Sequence, residues 1–248
     1  MLLIIVGALP SFAHATTFTC IGREALDNAE LNRTLLAVEK RYASIKDLSA
    51  AFHQQSTFTG LNQTKASTGV VFFRSPGMMN WEYTKPVPQI FVGDGTVLWF
   101  YQPDLNQVTL SDFKRSFSTE LPVSFLLGLG KVGDNFKAER GCRFENLLLV
   151  ELVPLSPDPN LSAFHLLVDA KDHTPRGAKV IDVGGNETTI LFEEVKLNSN
   201  VPLDRFAFTV PKGVDVIDNR VATGPTDSSK RGNTVTESDL VSQEERPS

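Results

Sequence analysis

The apolar positions of this chain alternate along most of its length. Between residues 69 and 101, Val70, Phe72 and Arg74 fall on one side of an extended chain and Val71 and Phe73 on the other. Met79, Trp81 and Tyr83 then alternate with Asn80, Glu82 and Thr84. Period-two alternation bounded by turn residues predicts antiparallel strands, here at about residues 67–74, 78–84, 88–93 and 97–102. Asp94-Gly95 separates the runs PQIFV and VLWFY and predicts a tight hairpin. Upstream, Phe52, Gln54, Ser56 and Phe58 share one side of a strand that turns at Gly60-Leu61-Asn62. Downstream, residues 107–110 return after Pro103-Asp104. Strands this short and this closely spaced form a meander, because parallel pairing needs long crossover connections.

Two segments follow a helical period instead. Leu31, Leu35, Val38, Tyr42, Ile45 and Phe52 recur at spacings of three, four and seven, which predicts an amphipathic helix over about 25–48. Its other positions carry Glu30, Arg33, Glu39, Lys40 and Lys46. After the meander, Ser118 or Thr119 caps a second helix with Pro122 near its first turn. Leu121, Phe125, Leu126 and Leu129 form its stripe, and Gly128 and Gly130 end it. A helix so short and apolar is marginal alone and must lie against something. Strands resume at about 135–140, 146–153, 162–169, 177–183 and 188–197, with a last strand at 205–210. Residues 219–248 are polar and nearly free of apolar side chains, the composition of a disordered tail. The reading is a mainly β chain, α+β by content, with one folded domain over residues 16–218.

Composition narrows the function. Of 248 residues, 41% are hydrophobic and 21% charged, enough for a substantial core. The 17 Phe against 3 Tyr and 2 Trp call for a dry environment, since Phe has no polar handle. A net charge of -5 without a basic stripe disfavours a nucleic-acid partner.

The first residues read as an export signal. Residues 2–9 are apolar and Ala13-His14-Ala15 is an A-x-A cleavage pattern, so residues 1–15 are taken as a signal peptide and Thr16 as the mature start. The usual cationic stretch is missing, because Met1 leads straight into Leu2, and the natural start is expected several residues upstream. The run is too short to span a bilayer as a helix. In an exported, oxidising compartment, Cys20 and Cys142 suggest one disulfide tying the N-terminal arm to a mid-chain strand. Two unpaired thiols remain the alternative. Lipidation at Cys20 is rejected, because Thr17-Phe18-Thr19 is not a lipoprotein signal.

Positive signs of catalysis are missing. His14, His53, His165 and His173 make no close ligand pair, and two distant cysteines make no metal signature. Neither a phosphate loop nor a G-x-S-x-G elbow occurs. Glu193-Glu194 reads as a solvated strand edge. The expectation is a protein that is not an enzyme and carries no cofactor.

Arg74-Ser75-Pro76-Gly77, Asn80-Trp81-Glu82-Tyr83, Asp94-Gly95 and Leu98-Trp99-Phe100-Tyr101 together resemble the core of the periplasmic outer-membrane lipoprotein carriers, the LolA family. The first helix with Phe52-His53-Gln54-Gln55, the segment Ser124-Phe125-Leu126-Leu127-Gly128, and Phe206-Ala207-Phe208-Thr209-Val210-Pro211-Lys212-Gly213-Val214-Asp215-Val216 extend the likeness over about residues 25–218. The resemblance implies an incomplete, strongly curved antiparallel β-barrel with helices covering one opening. It implies a periplasmic chaperone that shields the acyl chains of lipoproteins. Such a carrier receives them from an inner-membrane lipoprotein-releasing ABC transporter and passes them to an outer-membrane acceptor. On this basis Val70, Phe72, Arg74, Met79, Trp81, Phe91, Trp99, Leu121, Phe125, Leu126 and Leu129 are the expected cavity and lid residues. Arg74 matches a basic residue associated with closing the lid, although Ser75 is inserted where other members have Arg-Pro. Alternation places it beside Val70 and Phe72, pointing into the cavity toward carbonyls of the 118–129 helix. Met79 stands where some members carry a transporter-contacting Phe.

The chemistry agrees with the likeness. Each acyl CH₂ exposed to water costs about 0.8 kcal/mol, so a carrier needs an apolar concavity and no catalytic groups. If the empty lid closes on its own stripe, cargo displaces protein contacts and transfer stays reversible. Competing readings are a lipid-binding periplasmic sensor or regulatory domain and a carrier of another lipid. The expected carrier is a monomer without nucleic-acid partners.

Overall fold

Alternating side chains can bury only one face of a strand at a time, and the chain resolves this with one large sheet covered differently on its two sides. The computed structural model describes residues 18–116 and 132–220. The expected signal peptide, the helix at 118–129 and the tail beyond residue 220 lie outside the described residues. In chain order the elements are β1 (Glu24–Ala25), α1 (Asn28–Ala43), β2 (Asp47–Phe58), β3 (Gln63–Arg74), β4 (Met78–Lys85), β5 (Gln89–Gly93), β6 (Val97–Gln102) and β7 (Gln107–Asp112). There follow α2 (Phe113–Ser116), α3 (Val132–Asn135), β8 (Phe136–Phe144), β9 (Leu147–Pro154), β10 (Ala163–Asp169), β11 (Pro175–Ile181), β12 (Glu187–Leu197) and β13 (Asp215–Asp218).

The strands make a single 13-stranded sheet in the order β1-β8-β9-β10-β11-β12-β2-β3-β4-β5-β6-β7-β13. Two meanders, β8–β12 and β2–β7, join where β12 pairs with β2. Every pairing is antiparallel except that of β13 with β7. The sheet is open, with β1 and β13 as its two edges. The fold is mainly β with few helices.

One face, here the front, carries α1. Direct cross-strand neighbours point the same way, so the register assigns each side chain to a face. Phe164, Leu166 and Val168 lie opposite Leu152, Val150 and Leu148, and Leu166 lies opposite Ala178. These residues pack with Leu31 and Val38 of α1 into a buried, mostly aliphatic cluster. The helix starts where Asp27 and Glu30 form a capping box, with Glu30 N donating to Asp27 Oδ1 at 2.7 Å and Asp27 N to Glu30 Oε2 at 3.1 Å.

Two sequence expectations need correction. The first helix ends at Ala43, not near residue 48, and Leu48, Ala50 and Phe52 belong to β2. Asp47 decides this. Its buried carboxylate accepts from Ser199 N at 2.8 Å and Asn200 N at 3.2 Å, which fixes the start of the strand. The expected strand at 205–210 is instead a 3-10 turn at Leu203–Phe206 and irregular chain, and the edge of β7 is occupied by β13.

Candidate functional site

Beyond β12 the front face changes character. Phe192, Leu48, Ala50, Phe52, Val71, Phe73, Met79, Trp81 and Leu98 form a second buried cluster. The register makes it continuous, since Phe192 faces Phe52, Val71 faces Trp81, Trp81 faces Phe91 and Phe91 faces Phe100. Ring centroids follow one another from Phe52 to Trp81 at 5.0 Å, Phe52 to Tyr83 at 5.1 Å, Tyr83 to Phe91 at 6.2 Å and Phe91 to Phe100 at 4.2 Å. Tyr83, Phe91 and Phe100 are only partly buried. Phe113 of α2 seals the end of this surface by lying over Gly93, where any Cβ would stand 2.3 Å from its ring.

The polar groups of this surface are few. Tyr83 donates to Gln54 Oε1 at 2.8 Å, and burial pushes its pKa up to about 12, so it stays neutral at physiological pH. Trp81 Nε1 is buried without a hydrogen-bond partner among the described residues, a polar atom in an apolar wall. Such a surface can hold apolar chains. Among the described residues no cluster of metal-ligating side chains forms, and no helix is long and apolar enough to cross a membrane.

The expected cavity residues divide. Met79, Trp81 and Phe91 lie on the front face within or against the aromatic cluster. Val70, Phe72, Arg74 and Trp99 lie on the back, in register with Glu82, Asn80, Met78 and Val92. Val70, Phe72 and Arg74 share one face, as alternation predicts, and it is the face opposite Trp81. The β3–β4 turn pairs Arg74 with Met78, which sets Phe73 opposite Met79 and Val71 opposite Trp81. Leu121, Phe125, Leu126 and Leu129 lie outside the described residues.

On the back, the C-terminal segment covers this half of the sheet. Arg74 Nη1 donates to the Val201 carbonyl at 2.6 Å, so its partner is this segment. Asn80 Nδ2 donates to the Arg205 carbonyl at 2.8 Å. The Arg205 guanidinium lies 4.8 Å from the Phe72 ring centre. Phe208 packs on Tyr101 and Trp99 at 5.6 and 6.4 Å.

The other half of the back belongs to the N-terminal arm. Phe18 packs with Cys142, Leu149 and Leu167, and Cys20 is bonded to Cys142 with Cα atoms 5.5 Å apart. Beside the arm, Arg140, Glu151, His165 and Lys179 stand opposite one another on four adjacent strands. Arg140 pairs with Glu151 and Lys179 with Glu187, each at 2.8 Å. Burial holds His165 below the ordinary imidazole pKa, with Glu151 opposing and Lys179 reinforcing that shift. The pairs neutralise one another and read as a satisfied strand surface.

The sequence reading missed Phe52, Val71, Phe73, Phe100 and Phe192 as front-face residues. Alternation sorts residues into two sides but does not say which side matches across a turn. A three-residue connection between Arg74 and Met78 was the signal available. It keeps odd-numbered residues of β3 beside odd-numbered residues of β4.

A family model described as "Outer membrane lipoprotein carrier protein LolA" matches residues 43–209. An outer-membrane lipoprotein carrier protein of Chromobacterium violaceum is 34% identical over 172 residues, covering 69% of this chain and 81% of that relative. One from Pseudomonas syringae pv. syringae is 30% identical over 209 residues, covering 83% and 95%. Among solved structures, an uncharacterized conserved protein from Thermus thermophilus aligns with a TM-score of 0.50 at 16% identity, over 75% of this chain and 98% of its own, a likeness of fold alone.

Proposed function

The chain belongs to the family of outer-membrane lipoprotein carrier proteins, LolA, and from that premise we propose that it is a periplasmic chaperone holding lipoprotein acyl chains against its aromatic front face. One observation carries the reading. The paving from Phe52 through Trp81 and Phe91 to Phe100 is continuous, and it stays partly open at Tyr83, Phe91 and Phe100. A continuous aromatic wall left partly uncovered at one end is a surface suited to an apolar ligand.

The finer picture is part of the same proposal. Residues 16–218 act as one carrier domain after removal of a signal peptide near Ala15, and residues 219–248 are a tail outside that domain. The sheet acts as an incomplete barrel, and the segment carrying Leu121, Phe125, Leu126 and Leu129 serves as its lid. An inner-membrane ABC transporter loads the monomer and an outer-membrane acceptor unloads it, with Met79 in the loading contact. No catalytic step or cofactor enters this cycle. Arg74 acts from the back, by holding the C-terminal segment through Val201.

The test is native mass spectrometry of the chain exported to a bacterial periplasm together with its donor transporter, purified without detergent. A bound triacylated lipoprotein, lost in a Phe91→Ser/Phe100→Ser variant that still folds, is expected. A chain that emerges empty from cells containing a working donor would overturn the proposal.

A further inference from the structure

The hairpin tips at the two ends of the strands differ in one respect. At one end lie the turns β9–β10, β11–β12, β2–β3, β4–β5 and β6–β7, which are successive hairpins in sheet order. Each presents one solvent-exposed aliphatic side chain, namely Leu155, Val183, Leu61, Val87 and Leu105, between 40% and 74% exposed. At the other end lie Ser75-Pro76-Gly77, Asp94-Gly95-Thr96, Glu145-Asn146 and the turn around Lys171-Asp172-His173. None of these carries an exposed large apolar side chain among the described residues.

The exposed residues are built in. Leu61-Asn62-Gln63 and Leu105-Asn106-Gln107 repeat one arrangement: a 3-10 turn ends on Leu, and an Asn in the left-handed region (φ 47° and 49°) turns the chain back. Both leucines are left at the crest. The tips are also braced. Thr59 N donates to Asn186 Oδ1 at 3.1 Å and Thr59 Oγ1 to the Gly185 carbonyl at 2.6 Å, joining the Leu61 and Val183 tips. Asn106 Nδ2 holds the Gly213 carbonyl at 2.6 Å beside Leu105.

We propose that this edge is a membrane-docking rim, whose five aliphatic tips enter the headgroup layer of a zwitterionic lipid surface. Spacing selects the partner. Adjacent hairpins are two strands apart, so neighbouring tips stand about 10 Å from one another. Side chains that far apart form no contiguous core of the kind a protein partner buries. A fluid headgroup layer accepts each one separately, and the polar residues flanking them suit that layer. Charge selects the lipid. Lys65 and Lys85 are outnumbered by Asp104, Asp158 and Asp182 in the turn segments, so no attraction to anionic headgroups is built in.

The inference stands apart from the carrier reading, and its test separates the two. Delipidated full chain is floated with phosphatidylcholine vesicles, beside a variant with Leu61, Val87, Leu105, Leu155 and Val183 all changed to Ser. The wild type is expected to float at low and high salt alike, and the variant to lose at least about tenfold in partitioning. All five positions are exposed, so folding is not at stake. As a second readout, emission of Leu61→Trp moves to the blue on adding vesicles, while that of Thr96→Trp at the opposite edge does not. Wild type that stays with the soluble fraction, or a variant that floats equally well, overturns the rim. Binding of a fluorescent acyl probe on the same samples reports the front face, so its failure counts against the carrier reading alone.

Discussion

One face of one sheet is finished in two ways. Over β8–β11, α1 lies on the front, and the side chains beneath it are mostly Leu and Val, among them Val150, Leu152, Leu166 and Val168 at 1% exposure or less. Over β12 and β2–β6 the same face is aromatic, and it stays partly open toward Phe91 and Phe100. Where the chain supplies its own cover, flexible aliphatics interdigitate to native density. Where the described chain supplies less, flat rings offer a large contact surface that loses little side-chain entropy on taking up a ligand. The covered half is a core, and the paved half is the proposed site.

That contrast is sharpest in what substitutions do. The largest loss of stability is expected in the covered half, where Leu166→Ala opens a cavity under α1 and costs about 2–5 kcal/mol by denaturant unfolding, with acyl-probe affinity retained in the folded fraction. Next comes the arm behind that half. Cys20→Ser/Cys142→Ser removes a link across 122 residues and costs about 2–4 kcal/mol, again without loss of probe binding. In the paved half the effects exchange places. Phe91→Ser/Phe100→Ser should change stability by about 1 kcal/mol while weakening probe binding about tenfold or more, measured by fluorescence titration.

Smaller effects separate front from back. Arg74→Leu breaks the bond to Val201 on the back and should cost about 1 kcal/mol, raising hydrogen exchange around residues 199–208 and leaving probe binding unchanged. A front-face role for Arg74 predicts the reverse. The smallest effect is pH-dependent. His165 has a lowered folded pKa, so the stability it contributes is present above the unfolded value of about 6.5 and declines as pH falls below it. His165→Gln should flatten that slope in melts taken between about pH 7 and 5.

Much of the architecture was legible because hairpins write themselves locally. Met79, Trp81 and Tyr83 announce β4 by alternation, and Asp94-Gly95 announces its turn. The end of α1 was not legible, because Ile45, Leu48 and Phe52 fit a helical period as well as Leu48, Ala50 and Phe52 fit a strand. The tie was broken by Asp47 meeting Ser199 and Asn200, residues about 150 positions away. Phe206 and Phe208 read as a strand for a similar reason. They alternate, yet they serve as anchors, Phe206 buried and Phe208 on Tyr101, without a ladder partner. At the candidate site the residue types were legible and the side was not. The likeness to carriers drew Arg74 toward the cavity, and only the pairing of Val71 with Trp81 shows that it points away.

The most direct measurement is photo-crosslinking with a triacylated lipopeptide whose acyl chains carry a photoreactive group, followed by peptide mapping. The account predicts labels on the front of the paved half, at Tyr83, Phe91 and Phe100. Labels concentrated on Val70, Phe72 and Trp99 at the back, or beneath α1 at Leu152 and Leu166, would contradict it.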